Sequence, residues 1–132
     1  MAGFIQCNYG GGGGPVEVIT GTITGAAGNT SAGRVTVTSQ QGKTPKRAMF
    51  WRTDKGSGQG AGGTFWWDNP QSQQYNYTYT SSWSFSPRAV PNTTTLAYYS
   101  LIYDLTSNSV TFACPTNSIY YTGTWKYAVE FE

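Results

Sequence analysis

The last nine residues constrain this chain more than any other stretch. Thr124-Trp125-Lys126-Tyr127-Ala128-Val129-Glu130-Phe131-Glu132 alternates at period two. Successive side chains of an extended strand point to opposite faces. Trp125, Tyr127, Val129 and Phe131 therefore share one face, and Lys126 and Glu130 the other. This is the signature of a half-buried β-strand. Glu130 and Glu132, at the end of the chain, are expected to be exposed.

The same signal recurs upstream. Val16 to Thr24 alternates, and so does Arg34-Val35-Thr36-Val37-Thr38. Lys46-Arg47-Ala48-Met49-Phe50-Trp51-Arg52, basic at its ends and apolar in its centre, is the strongest core strand. Thr64-Phe65-Trp66-Trp67-Asp68 is a short aromatic strand stopped by Asn69-Pro70. Gln73 to Phe85 reads as a Tyr- and Thr-rich strand with Tyr75, Tyr77 and Tyr79 on one face. Pro87 to Asn92 turns the chain. Leu96 to Leu105 and Ser109 to Cys114 pair as a hairpin around Ser107-Asn108. Met1 to Tyr9 completes the set as a short first strand. The composition agrees: Gly contributes 17 residues, Tyr 10, Phe 6 and Trp 5. Aromatic and β-branched residues suit pleated surfaces and Gly suits the turns, whereas good helix formers are sparse. About eight or nine short strands with regular turn signals predict an all-β fold, an antiparallel β-sandwich or jelly roll. The chain reads as a single domain over residues 1–132, with residues 1–15 able to form a flexible arm through the Gly10–Gly14 run. Five glycines cradle a phosphate only ahead of a helix, and here the strand-like Val16-Glu17-Val18-Ile19-Thr20 follows. Gly56 to Gly63 is a second low-complexity loop.

Charge narrows the function classes. Only 11% of residues are charged and the formal net charge is +2, so the clustered Lys and Arg of a nucleic-acid site are missing. Lys43, Lys46 and Arg47 read as a solvated turn. A surface carried by hydroxyls and amides is easily buried in an assembly, because few ions need desolvating. No apolar run approaches the roughly 20 residues of a membrane-spanning helix, and no secretory leader is read at the start. Bridging Cys7 to Cys114 would close a long loop and add about 4 kcal/mol in the chain-entropy model. Spacing alone does not decide that pairing, and buried free thiols are the favoured reading.

Catalytic groups are scarce. The chain has no His, which removes the usual general base, the Ser and Cys triads and most zinc sites. No metal or cofactor is implied. Among the acids, Asp68 alone has cleft-like neighbours, Trp66 and Trp67, and a hydrolase built on it is the weakest of the readings weighed. Phe50, Trp51, Trp125, Tyr127 and Phe131 lie in alternating strands and are expected in the core. Trp66, Trp67, Asp68, Asn69 and Tyr75, with Gln73 and Gln74 beside them, form the candidate binding surface, a stacking-plus-amide set suited to a glycan or a partner protein. Because Trp66 and Trp67 are adjacent, one is expected to face inward and the other outward.

Four segments carry a resemblance. Gly21-Thr22-Ile23-Thr24-Gly25 is followed by Gly33-Arg34-Val35-Thr36-Val37 and then by Thr44-Pro45-Lys46-Arg47-Ala48-Met49-Phe50-Trp51-Arg52. That order resembles small virion proteins of tailed bacteriophages, in which a Gly/Thr-rich strand pair precedes a Pro-Lys segment ending in Trp. Tyr121-Thr122-Gly123-Thr124-Trp125-Lys126-Tyr127-Ala128-Val129 is similar to their closing strand. The resemblance implies a non-enzymatic structural protein of a tail, fibre, baseplate or capsid surface, built as an oligomeric β-sandwich and assembled in the host cytoplasm. Its partners would be other copies of itself and other virion proteins, with a host-surface glycan as a further contact. Gly56 to Asn92 matches nothing in that pattern. The alternative reading is a carbohydrate-binding, lectin-like module.

Overall fold

The computed structural model describes residues 15–54, 64–68, 73–79, 83–94 and 99–132. Nine strands run through them: β1 (Glu17–Thr24), β2 (Arg34–Thr38), β3 (Pro45–Arg52), β4 (Thr64–Asp68), β5 (Gln73–Tyr79), β6 (Trp83–Ala89), β7 (Leu101–Leu105), β8 (Ser109–Ala113) and β9 (Thr124–Phe131). A 3-10 turn at Ser31–Gly33 and the one-turn helix α1 (Ser118–Tyr121) are the only helical pieces among the described residues. The strands form a large sheet of six, ordered β1-β9-β3-β4-β5-β6, and a small sheet of three, ordered β2-β8-β7. Every pairing is antiparallel. The expected all-β sandwich is the fold observed. Cys7, the Gly10–Gly14 run, the Gly56–Gly63 loop and Asn69 lie outside the described residues.

The C-terminal strand lies inside the large sheet, between β1 and β3. Trp125, Val129 and Phe131 are fully buried on its inner face, and Tyr127 packs against the same core. Tyr127 also explains a glycine in edge strand β1. Its ring lies across its cross-strand partner Gly21, where a Cβ would fall 2.1 Å from the phenol oxygen. Only a residue without a side chain leaves room for the ring.

Aromatic rings join the two layers. Phe50 of β3 stacks on Phe112 of β8 at 5.0 Å and 6°, and on Trp125 of β9 at 4.7 Å and 23°. Phe65 of β4 tilts against both phenylalanines. All four rings are fully buried. Offset and tilted pairs of this kind contribute about 0.5–1.5 kcal/mol each beyond the area they bury. The Trp125 indole N–H donates to the Tyr121 carbonyl of α1 at 2.8 Å, so its one polar atom is satisfied.

A buried amide also ties the layers together. Gln74 of β5 is completely buried. Its Nε2 donates to the Ser100 carbonyl at 3.1 Å, and its Oε1 accepts from the Ile102 N–H at 2.8 Å. A side-chain amide offers a donor and an acceptor together, so it serves the backbone much as a neighbouring strand would. The strap fixes the start of β7, in the small sheet, against β5, in the large one.

Several expectations need correction. Gln73 to Phe85 is not one strand. It divides into β5 and β6, which pair from Gln73↔Ala89 to Tyr79↔Trp83. Residues 80–82 carry neither Gly nor Pro, so no local turn signal marks the division. Pro87 does not start a turn but lies within β6. It is tolerated because β6 is the sheet's edge, where one side has no ladder to lose. Trp51 is not in the core. It pairs in register with Lys126 and is half-buried on the opposite face from Phe50. Glu130 is not freely exposed, since its carboxylate pairs with Arg47 at 2.8 Å and its side chain is only 15% exposed.

Candidate functional site

The outer face of the large sheet carries the predicted surface. Period two along β4 sends Phe65 and Trp67 inward and Trp66 and Asp68 outward. Trp67 is 3% exposed and Trp66 37%. Tyr75 is the cross-strand partner of Trp66, and the two rings stack at 5.8 Å and 22°. The register extends this pair into a row crossing every strand of the sheet: Thr20, Ala128, Met49, Trp66, Tyr75 and Pro87, of which Ala128 is buried. Beside the row, Arg47 pairs with Glu130 at 2.8 Å and with Asp68 at 3.4 Å. Both carboxylates next to the aromatic row therefore have a guanidinium partner.

The structure thus brings together Trp66, Asp68 and Tyr75 and removes Trp67, whose side chain belongs to the core. Asn69 is outside the described residues. Gln74 leaves the expected set as well, because its amide is the inter-sheet strap. Gln73 is exposed. Asp68 is half exposed on the sheet face and bound to Arg47.

A second surface was not singled out from the sequence. Over the outer face of the small sheet lies a groove of about 490 Å³, with Arg34, Thr36, Tyr103, Asp104 and Thr111 in its walls. Thr36, Thr111 and Asp104 form one cross-strand row over β2, β8 and β7. The Thr36 and Thr111 hydroxyls hydrogen-bond each other at 2.9 Å. Arg34 Nε donates to the Gly28 carbonyl at 2.8 Å, and the guanidinium lies 3.9 Å from the centre of the Tyr103 ring. Under these groups Leu101 and Ala113 form a small, fully buried patch with Tyr99 and Tyr103 packed on it.

A β-bulge builds this groove. The register shifts between Ile102 and Asp104, so Ile102 pairs with Phe112 while Asp104 pairs with Thr111. Tyr103 is the extra residue. Ile102 and Leu105 both contact the main core although they are three apart, an odd spacing no regular strand can place on one face. The bulge resolves the conflict by turning Tyr103 and Asp104 together to the outside. That odd spacing was the available sequence signal.

Two further polar or reactive side chains, Cys114 and Glu17, are buried in the fold. Cys114 is a free, fully buried thiol, pushed up to about 11 by burial, with a hydrogen bond to the Ala26 backbone pulling weakly the other way. It stays protonated at neutral pH and is a poor nucleophile there. Glu17 is buried and accepts from Ser39 Oγ and from the Gln40 N–H at 2.9 Å, closing the turn before β3. No group of three or more potential metal ligands occurs among the described residues. No helix there is long and apolar enough to cross a membrane. No protein-family model, curated protein or solved structure matches the chain.

Proposed function

We propose that this chain is a non-enzymatic structural protein of a bacteriophage particle, joined to neighbouring copies and other virion proteins through the outer face of its large sheet. The observation that carries the reading is the stacked Trp66–Tyr75 pair, flanked in the same cross-strand row by Met49 and Pro87. Trp and Tyr dominate the energetics of protein interfaces, while charged residues are depleted at interface cores and belong to the rim. Here Arg47 pairs with both adjacent carboxylates, Asp68 and Glu130, so covering the face leaves neither without a cationic partner, although one negative charge stays in excess. The order of Gly/Thr-rich and Pro-Lys segments supplies the virion setting. A lectin acting through the same face is less well supported, because Gln74 is held inside the protein.

Light scattering over a range of protein concentration tests the proposal. Wild-type chain is expected to self-associate, and the double variant Trp66→Ala, Tyr75→Ala to remain monomeric with an unchanged far-ultraviolet dichroism spectrum. Mass spectrometry of purified particles is expected to find the chain. A protein that stays monomeric at every concentration and is missing from particles would sink the idea.

A further inference from the structure

We infer that the groove over the small sheet is a second binding site and that its ligand is a neutral saccharide. The inference is independent of the assembly face, which lies on the other side of the sandwich. Pockets for small ligands typically enclose about 300–1,000 Å³. This groove, at about 490 Å³, is within that range.

Its chemistry selects the ligand. Arg34 and Asp104 line the same groove, yet no ion pair joins them. The bonds of Arg34 are its Nε contact with Gly28 and its stack on Tyr103, so both Nη groups have donors to spare. Asp104 accepts only the Leu105 N–H, through Oδ1 at 3.0 Å, so Oδ2 has no partner. A hydroxyl both donates and accepts, and a sugar ring carries several at fixed spacing. Such a ring can donate to Asp104 while accepting from Arg34, with the hydroxyls of Thr36 and Thr111 beside it. An anionic ligand would suit Arg34 but meet the Asp104 carboxylate, and a cation would meet the reverse problem. A neutral polyhydroxylated ring satisfies both without adding charge.

The donors and acceptors are also held in place before any ligand arrives. Arg34 is fixed at Nε and across its plane, Asp104 by a backbone N–H, and Thr36 by Thr111. Groups ordered in advance lose less freedom on binding. The bulge at Tyr103 is what puts the carboxylate and the phenol ring on the same side of β7.

The test is a glycan array containing neutral hexoses, N-acetylhexosamines, uronic acids and sialic acids, followed by NMR titration of the full chain with the best neutral sugar. Wild type is expected to bind neutral sugars, with amide shifts confined to the neighbourhood of Arg34, Asp104 and Thr111. Asp104→Asn keeps the Leu105 hydrogen bond through its amide oxygen and removes the charge, and is expected to weaken binding about tenfold or more. Thr111→Val, on a different strand, is expected to weaken it as well. Three results would each overturn the inference: no neutral sugar bound at millimolar concentration, binding of acidic sugars alone, or shifts centred on Trp66 and Tyr75. The last would move sugar binding to the other face, while the light-scattering result would still decide assembly by itself.

Discussion

The two sheets present opposite kinds of outer surface. On the large sheet, apolar and aromatic side chains line up from strand to strand, and Arg47 joins the acids beside them. On the small sheet the outward row is Thr36, Thr111 and Asp104, and the nearby Arg34 is stacked on a ring instead of paired with the acid. Both surfaces lie over one shared aromatic core, but the first follows strict period-two alternation and the second depends on the bulge that interrupts it in β7. What separates them is how the charges are used. The proposed assembly face is the one where opposite charges meet, and the proposed ligand site the one where they are held apart.

The largest expected effect marks the boundary between core and face within a single dipeptide. Trp67→Ala opens a cavity under the large sheet and is expected to cost about 4 kcal/mol of stability. Trp66→Ala, one residue away, removes an exposed cross-strand stack and is expected to cost about 1 kcal/mol or less. Urea denaturation of both variants reads the difference, and equal losses would mean that the two rings are not divided between inside and outside.

A smaller loss is expected from cutting the strap between the layers. Gln74→Leu leaves the buried Ile102 N–H unpaired and takes a donor from the Ser100 carbonyl, at a cost of about 2 kcal/mol. Because the strap anchors β7, hydrogen exchange is expected to quicken around Ile102 and the groove more than around Trp66. Uniform acceleration across both sheets would argue against a local role for the amide.

The smallest effect concerns charge. Arg47→Ala is expected to change stability by about 1 kcal/mol, since Arg47 and Asp68 are half exposed and only Glu130 is largely covered. It leaves Asp68 and Glu130 without their shared cation, so it is expected to weaken self-association, most strongly at low salt. Association that is indifferent to both the substitution and ionic strength would show that the Arg47 ion pairs play no part on this face.

Legibility followed the range of the information. Arg34–Thr38, Thr64–Asp68 and the C-terminal strand were readable because alternation is written in consecutive residues. The opposed orientation of Trp66 and Trp67 followed from the same rule, yet the surface named from the sequence kept Trp67 beside Trp66, Asp68, Asn69 and Tyr75. Trp51 was misplaced only where the rule was not applied beside Phe50. The division of Gln73–Phe85 was hidden because uniform Tyr, Thr and Ser residues serve a strand and a turn alike. Gln74 looked like a ligand-binding amide because its partners, Ser100 and Ile102, are distant in sequence. The groove stayed unseen because its walls come from three strands, and the bulge that aims Asp104 is set by packing against the core.

The sequence by itself determined that the chain forms strands, and largely which side of each strand is apolar, since both depend on neighbours one or two residues apart. Only the tertiary structure decided that β9 lies between β1 and β3, that Gln74 joins the layers, and that Arg34 and Asp104 share a groove without touching. Those outcomes depend on which edges pair and how rings pack between the sheets, and such long-range choices are settled by the competition of all the strands for one core.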